Sequence, residues 1–395
     1  MRFCLPFLTA RRGRTLAVAV LGLGARAEAQ TRILFVGNSF THGKYAPVLQ
    51  YNSAAVTDEN YGLPSTSPRY QSVASEPGPW GGIPGIFQKF TDEAGLNYEV
   101  HIEAISGNSL QYHFSNALAV VAQPGWNKVV LQEMSTRPLP DSRTGSRLAF
   151  YNYSTRLEQA IHSASPAAQV YLYQTWARAD LTYPAGTPYA GFPVDTMTGD
   201  LHRGYYRAYA GNGRYAGVAP VGDAWLSAIA TGVAMSNPYT PDPSKLNLWA
   251  VDYNHPSKWG AYLSACVLFY RVTGLDPRTL GAAEQAAGAL GITPAAAVAL
   301  QQVAYQQGNV VVTSTRVPRG AAAPMAVWPS PFRSQVQIAG LAAGQTVALY
   351  DALGKRVAIA TMPAAGALQL ALPAQLPAGI YLVRAGSQSQ RVAVE

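Results

Sequence analysis

The chain has 395 residues, 48% of them hydrophobic and only 13% charged, with 23 Tyr, 36 Gly and 28 Pro. It is too long for one typical domain, apolar enough to bury a sizeable core, and the wrong composition for a disordered chain. The formal charge of +8 does not point to nucleic acid, because half of it lies in the first 29 residues (Arg2, Arg11, Arg12, Arg14 and Arg26 against Glu28) and no Lys/Arg run follows.

Residues 1–29 read as a secretory signal peptide. Arg11, Arg12 and Arg14 precede the apolar run Leu16–Leu23, and Ala27-Glu28-Ala29 is a small-x-small cleavage site. The run is too short to span a bilayer, and no later stretch is apolar enough for a membrane helix. Cleavage would remove Cys4 and leave Cys266 as the one thiol. Its apolar helical surroundings make Cys266 a small core residue rather than a nucleophile.

The mature chain opens near Gln30 with the apolar run Ile33–Val36, closed by Gly37-Asn38-Ser39. Such a run is a buried strand entering a turn. It presents Ser39 at the strand's carboxyl end, where open α/β sheets bind ligands. Taken alone, the turn reads as an ordinary helix N-cap. The spacing then predicts a helix over 43–56, a long Pro-, Gly-, Ser- and Tyr-rich surface loop over 60–85, and a helix over Ile86–Ala94. Tyr98–Ala104 is a strand ending at Ser106-Gly107-Asn108-Ser109. Lys128–Gln132, Gln169–Tyr173 and Val218–Val221 are further strands, separated by helices such as Phe150–Ala164 and Leu201–Ala210. This alternation predicts a three-layer α/β/α domain with a mostly parallel sheet.

Asp252-Tyr253-Asn254-His255-Pro256 follows a loop and leads into a helix carrying Leu263, Cys266, Val267 and Tyr270 on one face. Ala-rich helices run on to about residue 308. Residues 311–326 read as a linker. Beyond it the period changes to two, with short strands and turns such as Asp351–Gly354, which predicts a small β-sandwich. The expected division is therefore a signal peptide at 1–29, an α/β domain at 30–310, a linker at 311–326 and a β domain at 327–395.

A serine hydroxyl becomes a nucleophile only beside a base, with a group to orient that base and donors for the oxyanion. Candidates for each part lie at the ends of different strands. Ser39 is the nucleophile, His255 the general base and Asp252 its orienter. The backbone N–H groups of Ser39 and Gly107, with the side-chain amide of Gln132, are the oxyanion donors. The set resembles the SGNH (GDSL-like) hydrolases in Gly37-Asn38-Ser39, in Gly107, and in Asp252–His255 followed by Pro256, over roughly residues 31–275. In place of the family's Gly-x-Asn-Asp block the chain reads Val130-Leu131-Gln132-Glu133, so Gln132 would replace the usual oxyanion asparagine. The resemblance implies a flavodoxin-like fold, a Ser-His-Asp esterase and no cofactor; no His/Cys/carboxylate cluster has metal-ligand spacing.

Substrate contacts are expected from Asn38, His42, Asn108 and Trp80. His113 is a further polar candidate, and Trp176 and Trp259 are candidates to stack on sugar rings. Packing is the alternative role for the two histidines and the three tryptophans, and Glu133 is expected in a buried hydrogen-bond network. Trp328–Phe332, Leu349–Val357 and Leu376–Val383 resemble the C-terminal sorting domain of type IX secretion substrates, which implies the secretion machinery as a partner and a secreted or cell-surface location. The favoured substrate is an O-acetyl ester on carbohydrate, whether a small molecule or a polysaccharide. The alternatives are a lipase or thioesterase, and a non-catalytic glycan-binding protein on the same scaffold.

Overall fold

Ile33, Leu34, Phe35 and Val36 are all fully buried. A strand with no exposed face belongs in the middle of a sheet covered on both sides. The structure, a computed structural model, describes residues 1, 30–309, 326–328, 335–339, 341, 343–351, 355–363, 367–373, 376–386 and 388–394. The expected signal peptide and linker lie, but for residues 1 and 326, outside these, as do 329–332 and 352–354 of the tail motifs.

In the N-terminal unit β1 (Thr31–Gly37), β2 (Val56–Asp58), β3 (Tyr98–Ala104), β4 (Lys128–Leu131), β5 (Gln169–Tyr173) and β6 (Gly217–Ala219) form one sheet in the order β2-β3-β1-β4-β5-β6. Every pairing in it is parallel. Without the short edge strand β2, this is the flavodoxin-like order, whose ligand crevice lies where the chain reverses direction across the sheet. That point is the carboxyl end of β1, between β3 and β4.

Alternate residues of β1 serve the two helical layers. Ile33 and Phe35 pack with the helices Gly82–Glu93, Val221–Ala230, Lys258–Thr273 and Pro294–Asn309. Leu34 and Val36 pack with Leu110–Asn116, Leu118–Val121 and Arg147–Ala164. Cys266 is fully buried in the first of these cores, as expected. Local chemistry sets the helix after the His255 loop: Ser257 caps its start by accepting from Gly260 N–H, and Gly274, at φ 78°, ends it.

Two expectations fail here. Residues 43–56 are not a helix. Gly43 at φ 67° ends the four-residue helix Ser39–His42, Pro47 cannot donate, and Asn52 at φ 55° turns the chain again, into a 3-10 turn and β2. The last strand stops at Ala219 rather than Val221, because Pro220 interrupts the ladder and the next helix starts at Val221.

The chain divides near residue 310 into two units. In the second, β7 (Ala326–Trp328), β8 (Gln335–Ala339), β9 (Thr346–Tyr350), β10 (Arg356–Thr361), β11 (Ala367–Ala371), β12 (Gly379–Ala385) and β13 (Gln388–Val394) form the sheets β10-β9-β12-β13 and β11-β8-β7. All their pairings are antiparallel. Val336 and Ile338 of one sheet share a core with Val347, Leu349 and Val383 of the other, which makes a β-sandwich.

Phe35 packs edge-on against Phe87 at 5.4 Å between ring centroids. Replacing it with Ala should lower the unfolding free energy of the full chain by about 3–5 kcal/mol. Chemical denaturation reads this, and a loss below about 1 kcal/mol would contradict so central a place for β1.

Candidate active site

Asn38 builds the turn after β1. Its backbone is extended, and its side-chain Oδ1 accepts from Phe40 N–H at 3.0 Å, which starts the short helix at Ser39. The partner loop, Ala250–Pro256, is a tight return held by Tyr253 N–H to Ala250 O (3.0 Å) and Ala250 N–H to His255 O (2.8 Å). It brings His255 Nε2 to 2.7 Å from Ser39 Oγ. On the other side of the ring, His255 Nδ1 lies 2.6 Å from Asp252 Oδ2.

Asp252 is held by more than His255. Its Oδ1 accepts from the backbone N–H groups of Asn254 (3.2 Å) and His255 (3.0 Å), and its Oδ2 accepts from Tyr45 Oη at 3.0 Å. Lys44 Nζ lies 3.7 Å away. Burial alone would raise the pKa of this carboxyl, but the hydrogen bonds from the His255 side chain and backbone N–H outweigh it and keep the pKa well below the ordinary carboxylate range. The Tyr45 phenol is pushed up to about 12, by burial and by its bond to Asp252. An ionised Asp252 only accepts, so Nδ1 carries the proton and Nε2 turns a lone pair to Ser39. Tyr45 and Lys44 escape sequence reasoning, because only the bend at Gly43 returns them to a loop far along the chain.

Ser39 N–H and Gly107 N–H have no acceptor among the described residues. Gly107 sits at φ 72° in an exposed turn, and a Cβ built there would meet no atom within 4 Å. Conformation rather than crowding therefore calls for glycine here. Gln132 corrects the expectation. Its Oε1 accepts from Asn38 N–H (3.0 Å) and Thr41 Oγ1 (2.8 Å), and its Nε2 donates to Glu133 O (2.5 Å). Its oxygen and one N–H are committed and the amide is fully buried, so Gln132 braces the nucleophile turn rather than facing a cleft.

Three expected substrate contacts are corrected in the same way. Asn38 spends its side chain on the cap and on Asn108 O, 2.8 Å from its Nδ2, so it ties the two loops together. His42 is fully buried and Trp80 is 1% exposed; the two rings stack at 4.1 Å. His42 Nε2 faces Ser106 Oγ at 3.0 Å, and burial pushes its pKa down to about 3. Asn108 alone is half-exposed, with its Nδ2 turned back to Ser106 O at 3.2 Å.

The remaining candidates pack. His113 lies in a fully buried ion pair, 2.5 Å from Glu103. Burial works against its charge, yet Glu103 holds its pKa above the ordinary value. Trp176 is fully buried, stacked between Phe40 and Trp225 at 4.4 Å from each, and its Nε1 donates to Asn254 O at 3.0 Å. It thereby joins the Ser39 helix to the His255 loop. Trp259 packs against the core beneath the Lys258 ammonium. Glu133 accepts from Leu110 N–H (3.1 Å) and Met134 N–H (2.7 Å), and burial pushes its pKa up to about 7. No group of His, Cys, Asp and Glu among the described residues could hold a metal ion.

Two predictions follow from these side chains. Gln132→Leu strands the Asn38 N–H, so it should cost about 1–3 kcal/mol of stability and lower turnover along with it; unfolding and ester assays on one preparation check both. Glu133 binds its proton more tightly folded than unfolded, so its contribution to stability is fully present below about pH 4.5 and is lost as pH rises through about 7. Glu133→Gln should therefore flatten the change of Tm across that window.

Residues 326–395 match the family model described as Secretion system C-terminal sorting domain. Among curated proteins no match is found. Solved structures similar to the chain include a DUF4886 family protein from Bacteroides uniformis, at 15% identity over 70% of this chain and 94% of that one, with a TM-score of 0.44. An acetyl xylan esterase from Geobacillus stearothermophilus is similar at 15% identity over 61% and 94%, with a TM-score of 0.39. A lipase/acylhydrolase from Enterococcus faecalis is similar at 13% over 62% and 96%, with a TM-score of 0.36. No helix among the described residues is long and apolar enough to cross a membrane. Beyond its parallel α/β unit, then, the chain carries a C-terminal domain of the secretion-system sorting family, which marks it for export to the cell surface or beyond.

Proposed function

We propose that the protein is an exported serine esterase that hydrolyses small O-acyl groups, acetyl foremost, from carbohydrate. The observation that carries this reading is the continuous line Ser39 Oγ, His255 Nε2, His255 Nδ1, Asp252 Oδ2, with contacts of 2.7 and 2.6 Å, at the carboxyl end of β1. These three side chains come from loops more than 200 residues apart, and the fold's crevice is where they meet.

His255 takes the proton of Ser39 as Oγ attacks the ester carbonyl. The ionised Asp252 stabilises the imidazolium without taking its proton. The oxyanion receives the unpaired N–H groups of Ser39 and Gly107. His255 then protonates the leaving alcohol, leaving an acyl-Ser39 ester. Water, deprotonated by His255, attacks that ester, and the proton returns to Ser39 as the acid departs. Ser39 is 6% exposed and His255 7%, which favours a small acyl group over a bulky one. With Gln132 committed, two backbone donors carry the oxyanion, fewer than the family pattern provides.

Ser39→Ala should abolish labelling by a fluorophosphonate probe and hydrolysis of p-nitrophenyl acetate. If wild type and variant label and hydrolyse equally, the chain is instead a binding protein on this scaffold. Asp252→Asn should lower kcat by about 10⁴, the cost of the wrong imidazole tautomer. Deleting residues 326–395 should leave the product in the periplasm of its host, and normal export of the shortened chain would refute the role given to the tail.

A further inference from the structure

The tryptophans singled out as sugar platforms are buried or packed on the core, but aromatic rings do reach solvent beside the candidate site, and they are tyrosines. Tyr253 lies one residue from Asp252. Its φ is 59°, a left-handed conformation that a bulky side chain rarely adopts. Three backbone bonds and one from an indole N–H hold it. Tyr253 N–H reaches Ala250 O, Tyr253 O accepts from Ala179 N–H (3.0 Å) and Asp180 N–H (3.2 Å), and the neighbouring Asn254 O accepts from Trp176 Nε1. Strain maintained in this way is most often found where a side chain must point somewhere in particular.

The Tyr253 ring points to Tyr239. The two ring centroids are 4.1 Å apart, and Tyr239 is itself 40% exposed. Tyr183 lies tilted beside Tyr239 at 6.2 Å between centroids, and its hydroxyl donates to Ser236 O, which fixes the patch. Asp180, whose N–H holds the Tyr253 carbonyl, is paired with Arg178 at 2.5 Å and stands on the same rim, partly exposed. The patch is therefore a rigid, amphipathic aromatic surface with a carboxylate–guanidinium pair beside it, continuous with the loop that carries Asp252 and His255.

We infer that Tyr239 and Tyr253 form a stacking subsite for a pyranose ring in the alcohol part of the ester, with Asp180 and Arg178 meeting its hydroxyls. This rests on the esterase reading above. Ser39 and His255 are nearly buried, so the bulk of a carbohydrate ester would lie outward over the neighbouring surface. A sugar ring offers a flat C–H face to a tyrosine and a polar rim to the ion pair. A long acyl chain would find little use for that rim.

The test compares p-nitrophenyl acetate with an O-acetylated xylo-oligosaccharide on wild type, Tyr239→Ala, Tyr239→Phe and Tyr253→Gly. Tyr253→Gly keeps the left-handed backbone free of strain while removing the ring. Tyr239→Ala and Tyr253→Gly should each raise KM for the oligosaccharide by about tenfold, the size of one good ring stack, and lose clearly less on p-nitrophenyl acetate. Tyr239→Phe, which keeps the ring, should stay close to wild type on both. Equal losses on the two substrates, or none on the oligosaccharide, would overturn the subsite and leave the esterase reading standing. Wild type that cleaves p-nitrophenyl acetate but not the oligosaccharide would do the same. Wild type that cleaves neither would overturn both.

Discussion

The site depends on one buried amide. Gln132 leaves the end of β4 and grips the turn that follows β1, taking the Asn38 N–H and the Thr41 hydroxyl on one oxygen. A strand that ends in a sharp turn exposes peptide groups to the interior, and each needs a partner. Gln132 supplies it from the adjacent strand, so the position of Ser39 is set by sheet register and not by loop flexibility. Gly37 makes the arrangement possible: a Cβ there would come within 2.3 Å of Thr41 Oγ1 and 2.5 Å of Gln132 Oε1. The side chain that seemed to replace a missing oxyanion donor has become part of the frame that aims the nucleophile.

The base arrives by a second, aromatic route. Phe40, next to Ser39, lies flat on Trp176, Trp176 lies flat on Trp225, and Trp249 meets Trp225 edge-on. The indole N–H groups of Trp176 and Trp249 donate to Asn254 O and Ala177 O. A stack of rigid rings with its polar edges satisfied has few ways to deform. It fixes the distance between the turn that carries Ser39 and the loop that carries His255. Polar clamp and apolar stack reach the same few atoms from opposite sides.

Much of the fold was legible because it rests on local pattern. The run Ile33–Val36 could only be a central strand, and Tyr98–Ala104 was bounded to the residue by its own composition. Ser39, Asp252 and His255 stood out because their residue types and spacing are chemical requirements. What stayed hidden depends on the direction of a side chain. Nothing local separates a glutamine that faces a cleft from one that faces a neighbouring turn. His42 looked like a site residue because it is close to Ser39 in sequence, and Trp80 because an indole suits a sugar ring, yet the two rings close on each other. Tyr45 reaches Asp252 only through the bend at Gly43, and the helix expected over 43–56 would have carried it elsewhere.

The strand order also has a temporal side. β1 is the first strand of the chain and lies in the middle of the sheet, paired with β3 on one side and β4 on the other. Both partners lie far downstream, and parallel pairing offers no hairpin as a local start. A chain made from its N-terminus thus carries β1 wholly unpaired until β3 has followed, and with one open edge until residue 131 has followed. The turn after β1, which carries Ser39, can therefore be clamped only once Gln132 has followed β4.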